Sequence, residues 1–98
     1  MHFITADQLV VSLIIDEMKV LKLWKGKAPE WITNYKRSLV QQDENDFCEW
    51  LQFVFLPNRF IGVEMNTTSI TLQAKLYFQP DIVKGRLLQL LIELDQQL

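Results

Sequence analysis

The stretch DFCEWLQFVFLP at 46–57 constrains this chain more than any other. Eight of its twelve residues are apolar or aromatic, and a proline closes it. Phe47, Trp50, Leu51, Val54 and Phe55 recur at i, i+3, i+4, i+7 and i+8, which is helical spacing, and the run is long for a buried strand. Asp46 with Glu49 three places on forms a helix-start signature. Phe53, Leu56 and Phe60 fall on the other side, so the helix is apolar nearly all round. Such a helix is either central in its own bundle or covered by a second chain. Pro57 has no N–H, and its ring opposes the Phe53 carbonyl. The expectation is a kink there, or a helix end near Phe55 with a further turn through 58–61.

Other elements follow from periodicity and end signals. Thr5 and Gln8 form a capping box for a helix over 6–24. Its apolar face carries Leu9, Leu13, Val20 and Trp24, flanked by Val10, Ile14 and Leu21. Gly26 between Lys25 and Lys27 is the expected left-handed stop. Glu17 projects onto the apolar face, either as a carboxylate held by a Lys, Arg or Trp of a neighbouring helix or as a functional group. Pro29 suits the start of a second helix over 29–39, with Trp31, Ile32, Tyr35 and Leu39 at helical spacing. A polar connector follows at 40–45.

Residues 61–78 alternate in strand fashion around 65–68, yet Ile70, Ala74, Tyr77 and Phe78 also share helical spacing, so helix and hairpin both remain open. Pro80 and Asp81 open a last helix. Its stripe is Val83, Leu87, Leu90, Leu91, Leu94 and Leu98, widened by Leu88 and Ile92. Gly85 near its start marks a place for another backbone or an aromatic ring to come close.

The 98 residues suit one domain over 1–98, and 49% hydrophobic content is enough for a core. A net charge of −2 gives no global attraction to nucleic acid. One cysteine, Cys48, excludes an internal disulfide and fits a small core hydrophobe in a cytoplasmic protein. The opening MHFITADQLV lacks a basic leader, and no stretch approaches the ~18 apolar residues that span a bilayer, so no membrane partner is expected. The sequon at 66–68 is read as accidental.

Reactive chemistry is scarce. The single histidine, His2, sits near a chain end, which removes His-centred metal sites and Ser–His or Cys–His catalysis. The three glycines are far apart and form no phosphate loop. The DEND run at 43–46 lacks the glycine and bidentate Glu of a calcium loop. Asp16 and Glu17 facing Glu93 and Asp95 across a bundle, without Glu-x-x-His partners, make no metal site. No catalysis, cofactor or metal is therefore expected. What remains is surface: Glu17, Trp24, Trp31, Trp50, Phe53 and Phe60 as a candidate interaction face or pocket, and Lys22, Lys25 and Lys27 as a candidate basic edge.

EWLQFVFLP at 49–57 resembles the most characteristic segment of the YqcC-like family of small bacterial proteins of unknown function. VLKLW at 20–24, AKLYF at 74–78 and RLLQLLIELDQQL at 86–98 are similar to flanking family segments in the same order. The resemblance implies an all-helical bundle and places Glu17 near a carboxylate of the family's first helix. It brings no established activity. Family members are often encoded beside a tRNA pseudouridine synthase, which implies an RNA-modification accessory role as one alternative. Asn58-Arg59 in place of a basic residue directly after Pro57, and a short Thr-rich 61–73, depart from the pattern.

The expected architecture is therefore an all-α, up-and-down four-helix bundle with its third helix kinked or ended at Pro57. The alternative is a mostly helical chain with a hairpin at about 59–78. The expected function is binding through an apolar helical surface as a homodimer. A ligand pocket between helices and RNA-modification support are the alternatives.

Overall fold

A computed structural model describes residues 5–28, 44–62 and 70–96. Among these the chain is all-α, without a strand. Helix α1 is Ala6–Val20. Helix α2 is three segments in succession: α-helical Glu44–Trp50, π-helical Leu51–Phe55 and α-helical Leu56–Phe60. Helix α3 is Ile70–Phe78, and α4 is Gly85–Gln96, entered through a 3₁₀ turn at Ile82–Lys84. α4 packs against both α1 and α3, and α1 also meets the last segment of α2. The expected helix over 29–39, with Trp31, lies outside the described residues. Among the described residues 70–78 form helix α3, which excludes strand pairing there.

α2 supplies the heart of the core. Phe47, Trp50, Leu51, Val54 and Phe55 are all buried, and Leu56 is buried with them. Around them lie Val10, Val11, Ile14 and Met18 of α1, Ile70, Ala74 and Phe78 of α3, and Leu87, Leu90, Leu91 and Leu94 of α4. Truncating any of the large ones to Ala costs about 2–5 kcal/mol, because lost transfer energy and a residual cavity add.

Pro57 neither ends α2 nor leaves it α-helical throughout. The turn before it widens to the i→i+5 register, with the Leu56 N–H donating to Leu51 O. A wider turn gives the proline ring room against the carbonyl it would otherwise strike. Asn58 Nδ2 donates to Val54 O at 2.7 Å, supplying a partner from a side chain. The helix resumes through Phe60 and stops where Gly62 takes φ +85°, its N–H on Arg59 O.

The Thr5–Gln8 capping box of α1 forms as its sequence implies, with Gln8 N–H on Thr5 Oγ1 and Thr5 N–H on Gln8 Oε1. The far end of α1 differs. The helix stops at Val20, not Trp24, and the left-handed residue is Lys22 at φ +63°, not Gly26. Lys22 N–H reaches Lys19 O and Leu23 N–H reaches Met18 O, the paired bonds of a Schellman ending. The buried face of α1 is also rotated from the expected one. Val10, Val11, Ile14 and Met18 point inward, while Leu9 and Val20 are exposed.

Opposite ends of the chain are tied together by polar side chains. Arg59 Nε donates to Asp7 Oδ2 at 2.9 Å and Nη2 to Leu94 O at 3.0 Å, joining α1, α2 and α4. Gln8 Nε2 donates to Phe60 O at 3.1 Å. Asp95 Oδ2 accepts from both the N–H and the hydroxyl of Thr71, at 3.2 and 2.7 Å, in the first turn of α3.

α4 begins later than its stripe suggests. Asp81 caps the 3₁₀ turn through the Val83 N–H, and Val83 itself is exposed. Among the described residues nothing beyond its own helix comes within 4 Å of where a Gly85 side chain would begin, so that glycine answers no close approach there.

Two substitutions test this backbone. Lys22→Gly removes left-handed strain and should stabilise by about 1 kcal/mol, a Tm rise of roughly 4–8 °C for a domain of this size. Gly85→Ala should add about 0.5–1 kcal/mol by removing chain freedom from the unfolded state. Thermal melts followed by circular dichroism measure both.

Candidate functional site

The chain that leaves α1 lies against the first half of α2, and the contact is polar. Gln52, only 5% exposed, sits in the π segment and grips Lys25 by its backbone. Its Oε1 accepts the Lys25 N–H at 2.8 Å, and its Nε2 donates to Lys25 O at 2.6 Å. The Lys25 ammonium turns back toward α2, donating to Asn45 Oδ1 at 2.6 Å and to Glu49 Oε2 at 2.9 Å. Glu49 is buried, so the lysine offsets a charge held out of water. α2 begins at least two residues before Asp46, which makes Glu49 an inward anchor and not an N-terminal capping residue.

Beside this seam, Lys84 bridges from the 3₁₀ turn to Glu44 at the start of α2 and to Asp81 at 3.6 Å. Its Nζ lies 5.8 Å from the Phe78 ring centroid. Burial pulls the Lys84 pKa down, but the Glu44 hydrogen bond and charge, with Asp81, raise it above the ordinary lysine value. Cys48 lies buried near the same charges. Burial pushes its thiol up to about 12; Glu44 and Glu49 add to the rise, while Lys84 and Lys25 oppose it. A thiol held that high is not a nucleophile near neutrality.

The sequence-derived candidates occupy different settings. Trp50 is buried in an aromatic cluster, 6.4 Å from Phe47 and 5.3 Å from Phe55 between ring centroids; Phe47 also stacks on Tyr77 and meets the Phe78 ring at a tilt. Phe53 is half-buried and Phe60 exposed at the far end of α2. Trp24 is half-buried, with Lys19 Nζ 5.5 Å from its ring centroid. Glu17 is largely covered and faces Arg86 Nε of α4 at 3.5 Å, the ion-pair setting anticipated for it. Trp31 lies outside the described residues. In the basic edge, Lys22 and Lys27 are exposed, whereas Lys25 is committed to Asn45 and Glu49. Among the described residues no group of three or more His, Cys, Asp or Glu side chains is placed to hold a metal, and no helix is long and apolar enough to cross a membrane.

Besides Phe60, exposed apolar side chains include Leu9 and Val20 of α1 and Ile61 after α2, and a further group lies on α3 and the turn after it. α3 buries Ile70, Ala74 and Phe78, and carries Leu72 and Leu76 on another face, 64% and 68% exposed. Ile82 and Val83 in the next turn are 92% and 65% exposed. Sequence reasoning placed Ile70, Ala74 and Phe78 on one helical face but left helix and hairpin both open over 61–78, so it did not single out the opposite face. The i, i+4 spacing of Leu72 and Leu76 is its one sequence signal.

No family model, no curated protein and no solved structure matches the chain.

Cys48 gives a two-part prediction. The native protein should resist a thiol reagent at about pH 8 and react fully once denatured. A thiol pKa raised from 9.0 to about 12 stabilises the fold fully below 9.0, and that contribution is lost as pH rises toward 12. Urea midpoints should therefore fall across that alkaline window, and Cys48→Ala should flatten the fall. The raised Lys84 pKa adds a loss of the same sign, starting above 10.5, which Cys48→Ala leaves in place.

Proposed function

We propose that this chain acts by contact, not catalysis, and pairs with a second copy of itself through the aliphatic ridge of α3 and the turn after it. The observation that carries this is the exposure of Leu72, Leu76, Ile82 and Val83 within one short stretch. Large aliphatic side chains clustered on a surface lose free energy when another surface covers them. A two-fold contact sets the same ridge against itself, so two leucines one helical turn apart meet two more and no further matching surface is required. Lys75, exposed between them in sequence, supplies a charged rim.

The side chains with chemical potential support the same reading, since structural pairs occupy them. Glu17 faces Arg86, Glu44 faces Lys84, Glu49 faces Lys25, and Asp95 holds Thr71. Cys48 is protonated and enclosed. The resemblance to the YqcC-like family accompanies this proposal and contributes no activity to it.

Sedimentation equilibrium at micromolar concentration provides the test. Wild type should sediment as a dimer, and Leu72→Glu or Leu76→Glu should weaken it by at least about tenfold, since each would place a charge in an apolar contact. A monomer throughout the range, or a dimer indifferent to both substitutions, rules the proposal out.

A further inference from the structure

The end of α1 is where local sequence and observed backbone disagree most. Leu21-Lys22-Leu23-Trp24-Lys25 contains no glycine, proline or β-branched residue, and leucine and lysine are strong helix formers. The residue suited to stop the helix is Gly26. Yet α1 stops at Val20, and Lys22 takes φ +63°, a conformation that L-residues other than Asn and Asp rarely adopt. A local preference overridden in this way needs a tertiary cause. Two tertiary contacts hold the segment: Leu21, Leu23 and Trp24 pack against the core, and the buried Gln52 amide holds both backbone groups of Lys25, reinforced by the Lys25 ammonium on Asn45 and Glu49.

We infer that residues 21–25 are a two-state latch: while Gln52 grips Lys25, α1 ends at Val20, and when the grip is released α1 winds on through Lys25. The gripped form is the ground state, because letting go strands a buried donor and a buried acceptor, and this outweighs one left-handed residue. In the extended form Lys19 and Trp24 are five residues apart on one helix, about 140° around its axis, so their 5.5 Å contact is broken. Lys25 also withdraws from Glu49. The latch thus couples occupancy of the Gln52 amide to the length of α1.

Backbone NMR of the full chain tests it. In Gln52→Leu, Cα shifts should be helical without a break from Ala6 to Lys25, and Trp24 fluorescence should change as its ring leaves Lys19. Adding Lys22→Gly to that variant should restore the stop after Val20, since glycine favours the left-handed residue and disfavours the helix. A folded Gln52→Leu protein with non-helical shifts at 21–25 overturns the inference. If Gln52→Leu does not fold, NMR saturation transfer to minor states of the wild type decides. Residues 21–25 should exchange with a minor state whose Cα shifts are helical, and Lys22→Gly should lower its population about tenfold. No helical minor state at 21–25, or one indifferent to Lys22→Gly, overturns the inference equally.

Discussion

Removing the aromatic side of α2 from water is the constraint to which the other elements answer. Phe47 alone touches Trp50, Tyr77 and Phe78, so it links α2 to α3 as well as to itself. Leu51, Val54, Phe55 and Leu56 cover so much of the helix circumference that no single neighbour can shield them. α1 meets the last segment of α2 and α4 meets α1, while α3 rests on α4. Each remaining helix is thereby oriented by the need to close over one central stripe, and hydrophobic burial of this kind has no directional preference of its own.

Direction comes from the polar groups set into that apolar helix. A greasy cylinder can be packed at several rotations with similar burial, whereas a buried amide or carboxylate tolerates few. Gln52 fixes the rotation of α2 against the chain leaving α1, Glu49 accepts Lys25 one turn earlier, and Arg59 reaches Asp7 and the Leu94 carbonyl at the other end. The π segment belongs to the same logic. Relieving the proline by widening the preceding turn changes the angular position of every residue after it, so Pro57 helps to set where Arg59 and Phe60 emerge.

What could be read from the sequence divides along this line. The α1 capping box, the buried stripe of α2 and Leu87, Leu90, Leu91 and Leu94 of α4 depend on local bonding or on one strong periodicity, and each was legible. The end of α1 was not, because the segment after it is held by Gln52, 27 residues away, and by packing of Leu23 and Trp24 on the core. The inward face of α1 was displaced too: Val11 and Met18 are buried and Leu9 and Val20 exposed in a helix that packs on α4. α3 alternates in sequence because its inward residues, Ile70 and Ala74, and its exposed ones, Leu72 and Leu76, happen to be two apart. Of the candidate site, Glu17 was legible as an ion-pair partner. The aromatic face was not legible as a surface, since whether Trp50 is covered depends on Phe47 and Phe55 stacking around it.

This division bears on what the chain can do. Its buried Gln52 and Glu49 are spent on orientation, and its thiol is held protonated by the same enclosure that makes it part of the core. A bundle this small exposes a large share of whatever it does not bury. Leu72, Leu76, Ile82 and Val83 are solvent-facing although leucines of α4 a few residues away are fully enclosed, so the ridge is not a by-product of a chain too short of inward positions. An aliphatic surface of this kind costs solubility while it faces water, and the pairing proposed above would offset that cost.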